Sequence, residues 1–178
     1  MDGTAEEDEL RSRTATHEAG HCVVAELSGL RVVESVLVTP ADGSTGLQPG
    51  PPESNDLHEA HLYVAVAGYP AVGEIWGAEV ERANRKADIH DLVDSDLWRA
   101  LLRASKLNPA PADLVACILD REDSTRSILA RPEVRDAVCH IGEVIFEHGG
   151  MSGDHVRSVL TQHGVTARAE PGPPLLAP

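Results

Sequence analysis

The chain has 178 residues, 29 acidic against 15 basic side chains, a net charge of −14, and 42% hydrophobic residues of which few are aromatic. That length fits one domain with its own core, built mainly from Ala, Val, Leu and Ile. The acidic balance excludes a phosphate backbone as partner and disfavours anionic membranes, and no apolar run reaches the ~20 residues a membrane span needs.

Residues 1–10 are acidic, do not form a signal peptide, and read as a mobile N-terminus. A cytoplasmic location is the expectation. Cys22, Cys117 and Cys139 lie in apolar helical patterns without paired spacing, as expected of reduced, buried thiols. From Arg11 to Leu30 there is no proline, and Ala15, Ala19, Cys22, Val23 and Leu27 recur with helical period. Ser12 or Thr14 would cap the start, and Gly29 falls near the end.

Inside this predicted helix lies His17-Glu18-Ala19-Gly20-His21. Four helical residues span about 400°, so both imidazoles leave one face a turn apart and can hold one Zn²⁺ at ~2.0–2.1 Å. Glu18 points about 100° away from His17, where it can act as general base towards a water that the metal activates. The spacing is a metallopeptidase signature. A catalytic zinc needs a third protein ligand. Position 27 is Leu, which rules out a third histidine six residues on, so a distant Asp, Glu or His must supply it, and spacing alone does not choose among them.

Val32 to Thr39 is rich in β-branched residues and reads as a strand ended by Pro40, with Asp42-Gly43 as a turn and Thr45 to Gln48 as a short partner. Asn55 to about Trp76 reads as a long helix bent or broken near Gly68 and Pro70. His58 and His61, three apart, read as lying on a solvated or partly packed face. Glu79 to Ala87 is charged and reads as a loop. Helices are expected at about Ser95–Leu107, Ala112–Leu119, Ser124–Ala130, Glu133–His148 and Gly153–His163. The proline-rich end, 165–178, reads as disordered. The expected fold class is mainly α with a small β-hairpin. An extended substrate would lie along an edge strand of that hairpin, with Val36, Leu37, Val38 and Thr39 as candidate substrate-binding residues.

The run from Thr14 through His17-Glu18-Ala19-Gly20-His21 to Ala25 resembles the zinc helix of the FtsH-type zinc metallopeptidases. Val36 to Pro40 with Gly43 and Gly46, Val64 to Gly68 with Glu74 and Gly77, Ser95-Asp96-Leu97-Trp98-Arg99-Ala100, Ser127 to Leu129, and Met151 to Val156 are similar to later family segments in the same order. The resemblance spans about residues 12–162. It implies an M41-like helical zincin peptidase domain over 11–164. It also implies a zinc-dependent endopeptidase with His17, His21 and Asp96 on Zn²⁺ and Glu18 catalytic. Ser95 departs from the family's Asn, and Asp94, Asp91 and Glu74 remain rivals to Asp96. Asp96 has a second reading as helix N-cap. The implied substrate is a peptide or unfolded protein, and the implied assembly is a hexamer or a pairing with a separate ATPase. The chain itself carries no Gly-x-x-x-x-Gly-Lys-Ser/Thr loop. The competing readings are a zinc amidase acting on a small molecule, and a non-catalytic partner-binding relic of the peptidase fold.

Overall fold

The motif helix α1 runs from Ala5 to Leu27. It starts earlier than the sequence suggests, because Thr4 caps it by accepting from the Glu7 N–H, and Glu6, Glu7 and Asp8 complement the helix dipole. The acidic N-terminus is therefore helical from Ala5. The computed structural model describes residues 4–50, 53–88, 95–107 and 110–174. After α1 come β1 (Val32–Thr39), β2 (Asp42–Leu47), α2 (Asn55–Ala65), α3 (Gly68–Trp76) and α4 (Ala78–Asp88). They are followed by α5 (Asp96–Leu107), α6 (Pro111–Leu129), α7 (Pro132–His148), β3 (Gly150–Ser152) and α8 (Gly153–Gln162).

The fold is mainly helical with a small antiparallel sheet, as expected in class. The sheet has three strands in the order β2-β1-β3, not two. Val36 pairs with Ser44 on one side and Gly150 on the other, and the Leu37 N–H donates to the Gly149 carbonyl. β1 is thus the central strand as far as Leu37, so of Val36, Leu37, Val38 and Thr39, expected on a free edge, the first two are covered on both sides, and the outer strand beside the motif helix is β2.

α1 is the spine of the core. Val23, Val24 and Leu27 pack with Val134, Val138, Ile141 and Ile145 of α7 and with Val156, Val159 and Leu160 of α8. On another side, Gly20 lets α3 approach closely: a Cβ there would lie 2.6 Å from the Ala71 Cβ and 3.0 Å from the Ala67 carbonyl oxygen. A second cluster joins Leu62, Ala65 and Val66 of α2 to Ala100 and Ala104 of α5 and Cys117 and Ile118 of α6. The two alanines, one turn apart, seat α5 against α2 and so fix the start of α5 near the motif.

Three expectations need correction. Residues expected as a loop form α4, because Glu81 is buried and bonds Arg85 within α4 and Arg126 of α6. The two helices expected on either side of residue 120 are one, α6, whose charged middle turns Glu122 towards Arg85. The long helix breaks near Gly68 as expected, at Val66 and Ala67. The described part of the end expected to be disordered, residues 165–174, is anchored on the motif helix: the Arg168 N–H donates to the Glu26 carbonyl and the Gly172 N–H to the Ser28 carbonyl, while 175–178 lie outside the described residues. Gly29, at φ +75°, makes room for it, since a Cβ there would sit 2.0 Å from the Glu170 carbonyl oxygen.

Glu26, fully buried, ties these parts together. Its carboxylate accepts from Arg31, from Arg157 of α8 and from the Val32 N–H at 2.7–3.0 Å. A buried carboxylate is tolerated when its oxygens are satisfied in this way.

Candidate metal centre

His17 and His21 leave one face of α1 towards the start of α5. His17 Nε2 lies 2.8 Å from Asp96 Oδ2, His21 Nε2 lies 2.9 Å from the same oxygen, and the two ring nitrogens are 3.0 Å apart. Each of the three side chains is buried or nearly so. Local sequence explains why Asp96 is available. Ser95 takes the cap position, its Oγ accepting from the Trp98 N–H at 3.2 Å, so the Asp96 carboxylate is left to face the histidines.

The donor set is one that can hold a cation. His21 donates its Nδ1–H to the Val64 carbonyl at 2.8 Å, which leaves a lone pair on Nε2 of the neutral ring. That lone pair, the His17 Nε2 and a carboxylate oxygen converge within 3.0 Å of one another. A proton can bridge one such pair, but a metal ion satisfies all three. Ligand atoms of a tetrahedral zinc centre lie ~3.3 Å apart, so the triangle needs to open by only a few tenths of an ångström. The Val64 carbonyl fixes the tautomer and aim of His21, as the outer partner of a metal-ligating histidine would.

Without a metal the cluster traps protons instead. Burial alone would lower the His21 pKa, but the Asp96 carboxylate, with smaller help from Glu18 and Val64, raises it to about 9. Burial likewise opposes ionisation of Asp96, yet the two imidazoles hold its carboxyl well below the usual range.

Glu18 lies in the same cleft, a cavity of about 860 Å³ lined also by His17, His21 and Asp96. Its Oε2 accepts from the Thr45 hydroxyl at 2.7 Å. Ser35, buried on β1, lies 3.1 Å from Thr45 and can donate to it. Gly43 of β2 covers the carboxylate so closely that a Cβ there would be 2.6 Å from Glu18 Cγ. Gly68 does the same for His17, where a Cβ would be 2.3 Å from Nε2. Tyr69 packs edge-on against the His17 ring, with centroids 5.1 Å apart.

The sequence therefore singled out His17, Glu18, His21 and Asp96, and the structure brings them together. Glu74 is elsewhere, its carboxylate 3.8 Å from Arg135 of α7. Asp91 and Asp94 lie outside the described residues. His58 is buried and accepts from Arg103 at 3.3 Å, whereas His61 lines the cleft. Of the four β1 residues expected to bind substrate, Val38 lines the cleft, whereas β2 contributes Asp42, Gly43, Ser44, Thr45 and Leu47. Thr45, Val64, Gly68 and Tyr69 were not anticipated as parts of the site. Cys22, which follows the second histidine, is a buried free thiol whose pKa burial pushes up to about 12, as expected of a core residue.

No protein-family model matches this chain, and no curated protein is similar enough to count as a relative.

Proposed function

We propose that the chain is a zinc-dependent endopeptidase of the FtsH type. The observation that carries this reading is the convergence of His17 Nε2, His21 Nε2 and Asp96 Oδ2 within 3.0 Å of one another, with Glu18 in the same cleft. The resemblance of the motif helix and of the Asp96 segment to that family supports it independently of the geometry.

His17, His21 and Asp96 would hold the metal. When bound, zinc supplies Lewis acidity, lowering the pKa of a water to ~7 and polarising a carbonyl. Glu18 then takes the proton of the attacking water on its carboxylate and passes it to the leaving amine. Thr45 keeps that carboxylate in one orientation through its hydroxyl, and Gly43, lacking a Cβ, leaves room for it there. Val64 holds the His21 ring in register. An extended peptide fits the outer edge of β2, where main-chain hydrogen bonds would set its register in the way that edge strands take up an added strand. Peptides and already unfolded segments are the matching substrates.

The test is Glu18→Gln. The variant should retain zinc and its fold while cleavage of an unfolded casein-like protein falls by at least ~100-fold, the scale of a lost general base. Full activity in Glu18→Gln would end this mechanism. Cleavage of small amides but of no peptide would move the assignment to an amidase.

A further inference from the structure

The cleft is electrically two-sided. Asp42 of β2 lies on one side, and Glu18 and Asp96 lie with the histidines. The remaining wall carries Arg99 and Arg103 of α5 and His61 of α2. Two cationic groups on one wall are notable in a chain with a net charge of −14. Several arginines elsewhere are bound to carboxylates: Arg85 and Arg126 to Glu122, Arg121 to Glu59 and Arg157 to Glu26, all at 2.7–2.8 Å.

The cleft arginines differ. They are four residues apart, so both guanidinium groups leave one face of α5. Arg99 is 62% exposed, and its Nη1 stands 3.6 Å from Asp96 Oδ1, beyond hydrogen-bond distance. Asp96 is already committed through its other oxygen to both imidazoles. Arg103 donates to a neutral acceptor, His58 Nδ1, and has no carboxylate partner among the described residues. His61 beside it adds no charge at neutral pH, because burial, then Arg103 and His58, push its pKa down to about 4. The wall therefore offers guanidinium donors in a recess, with a neutral imidazole next to them. Guanidinium forks match carboxylate geometry, and such bonds are stronger than those between neutral groups.

We propose that Arg99 and Arg103 form a carboxylate subsite that binds an anionic group of the substrate on the α5 side of the cleft. The group is either the C-terminal carboxylate of a peptide or an Asp or Glu side chain. The term substrate rests on the peptidase reading, whereas anion binding by the wall does not. Arg103 sets specificity, and Arg99, nearer the metal ligands, also fixes where the anion sits relative to Asp96.

The experiment measures binding rather than turnover. Fluorescein-labelled peptides of one neutral sequence are titrated by anisotropy into zinc-loaded Glu18→Gln protein at low salt. Four forms are compared: C-terminal amide, free C-terminal acid, amide with one Glu, and amide with one Lys. The acid, the Glu form or both should bind ~10–100-fold more tightly than the neutral amide, the scale of one hydrogen-bonded charge pair. Preference for the free acid alone identifies the C-terminus as the anion, and preference for the Glu form alone identifies a side chain. Arg103→Gln should remove the preference, and Arg103→Glu should turn it towards the Lys peptide, with zinc content and melting temperature monitored in both. Independently of any variant, the preference should shrink as salt is raised from ~0.05 to ~0.5 M. Equal affinity for all four peptides, no binding of any, or a preference that survives Arg103→Gln would overturn the subsite. Anion preference in a wild-type enzyme that cleaves nothing would sink the peptidase reading and leave the subsite. Cleavage indifferent to charge would do the reverse.

Discussion

Replacing Gly68 with alanine tests the centre through a residue that is not itself a ligand. The added Cβ would sit 2.3 Å from Cε1 and Nε2 of His17 and 2.5 Å from Nδ1. Ordinary carbon contacts are ~3.5–4.0 Å, so the overlap exceeds an ångström. The His17 side chain gives way more easily than the packed backbone of α3, and its swing moves the ligand atom off the His21–Asp96 pair. Overpacking of this kind costs ~1–3 kcal/mol. At ~2–4 °C per kcal/mol for a chain of this size, the metal-free protein should melt only a few degrees lower and remain folded. Zinc affinity should fall much further. Losing an outer partner of a metal ligand already costs ~10–100-fold, and displacing the ligand itself should cost at least ~100-fold. The assay is competition with a chromophoric chelator, paired with thermal melts in EDTA. A folded Gly68→Ala protein that holds zinc as tightly as the wild type would refute the ligand role of His17.

Two further outcomes follow from the charges of the site and its scaffold. The metal-free His21 has its pKa raised to about 9, so its contribution to stability is full below about 6.5 and is lost as pH rises through 9. Zinc must displace that proton, so its affinity should climb by up to ~10-fold per pH unit and level off near pH 9. Calorimetric titrations at several pH values check the slope, and a flat profile would contradict the proton-trapping cluster. Glu26→Ala leaves the Val32 N–H and two arginines without their buried carboxylate. It should cost ~3 kcal/mol, or roughly 6–12 °C in melting temperature. A melt unchanged from the wild type would show that the buried carboxylate does not tie α1, β1 and α8 together.

How much of this was legible in the sequence depends on the distance over which each feature is encoded. The motif helix was readable because His17, Glu18 and His21 are related by helical period alone. Asp96 was reachable only through resemblance, since its meeting with the histidines depends on Ala100 and Ala104 seating α5 on α2. Its rival reading as a cap gave way to Ser95, a neighbour with the same capping chemistry. α4 and the middle of α6 looked like breaks because their charges, Glu81, Arg85, Glu122 and Arg126, pair across helices, and no local pattern reveals such partners. The strand β3 is three residues long and pairs with β1 from far along the chain, which moved the free edge of the sheet to β2. The roles of Gly43 and Gly68 depend on side chains distant in sequence, Glu18 and His17, and periodicity does not contain that information.

The central claim is that two imidazoles and one carboxylate clasp a single zinc ion. Metal analysis of protein purified without chelators or nickel tests it most directly. About one zinc per chain is the expected result, with a marked loss in Asp96→Ala at unchanged fold. A wild-type chain that stays metal-free after incubation with zinc at neutral pH, or an Asp96→Ala variant that keeps its full complement, would contradict it.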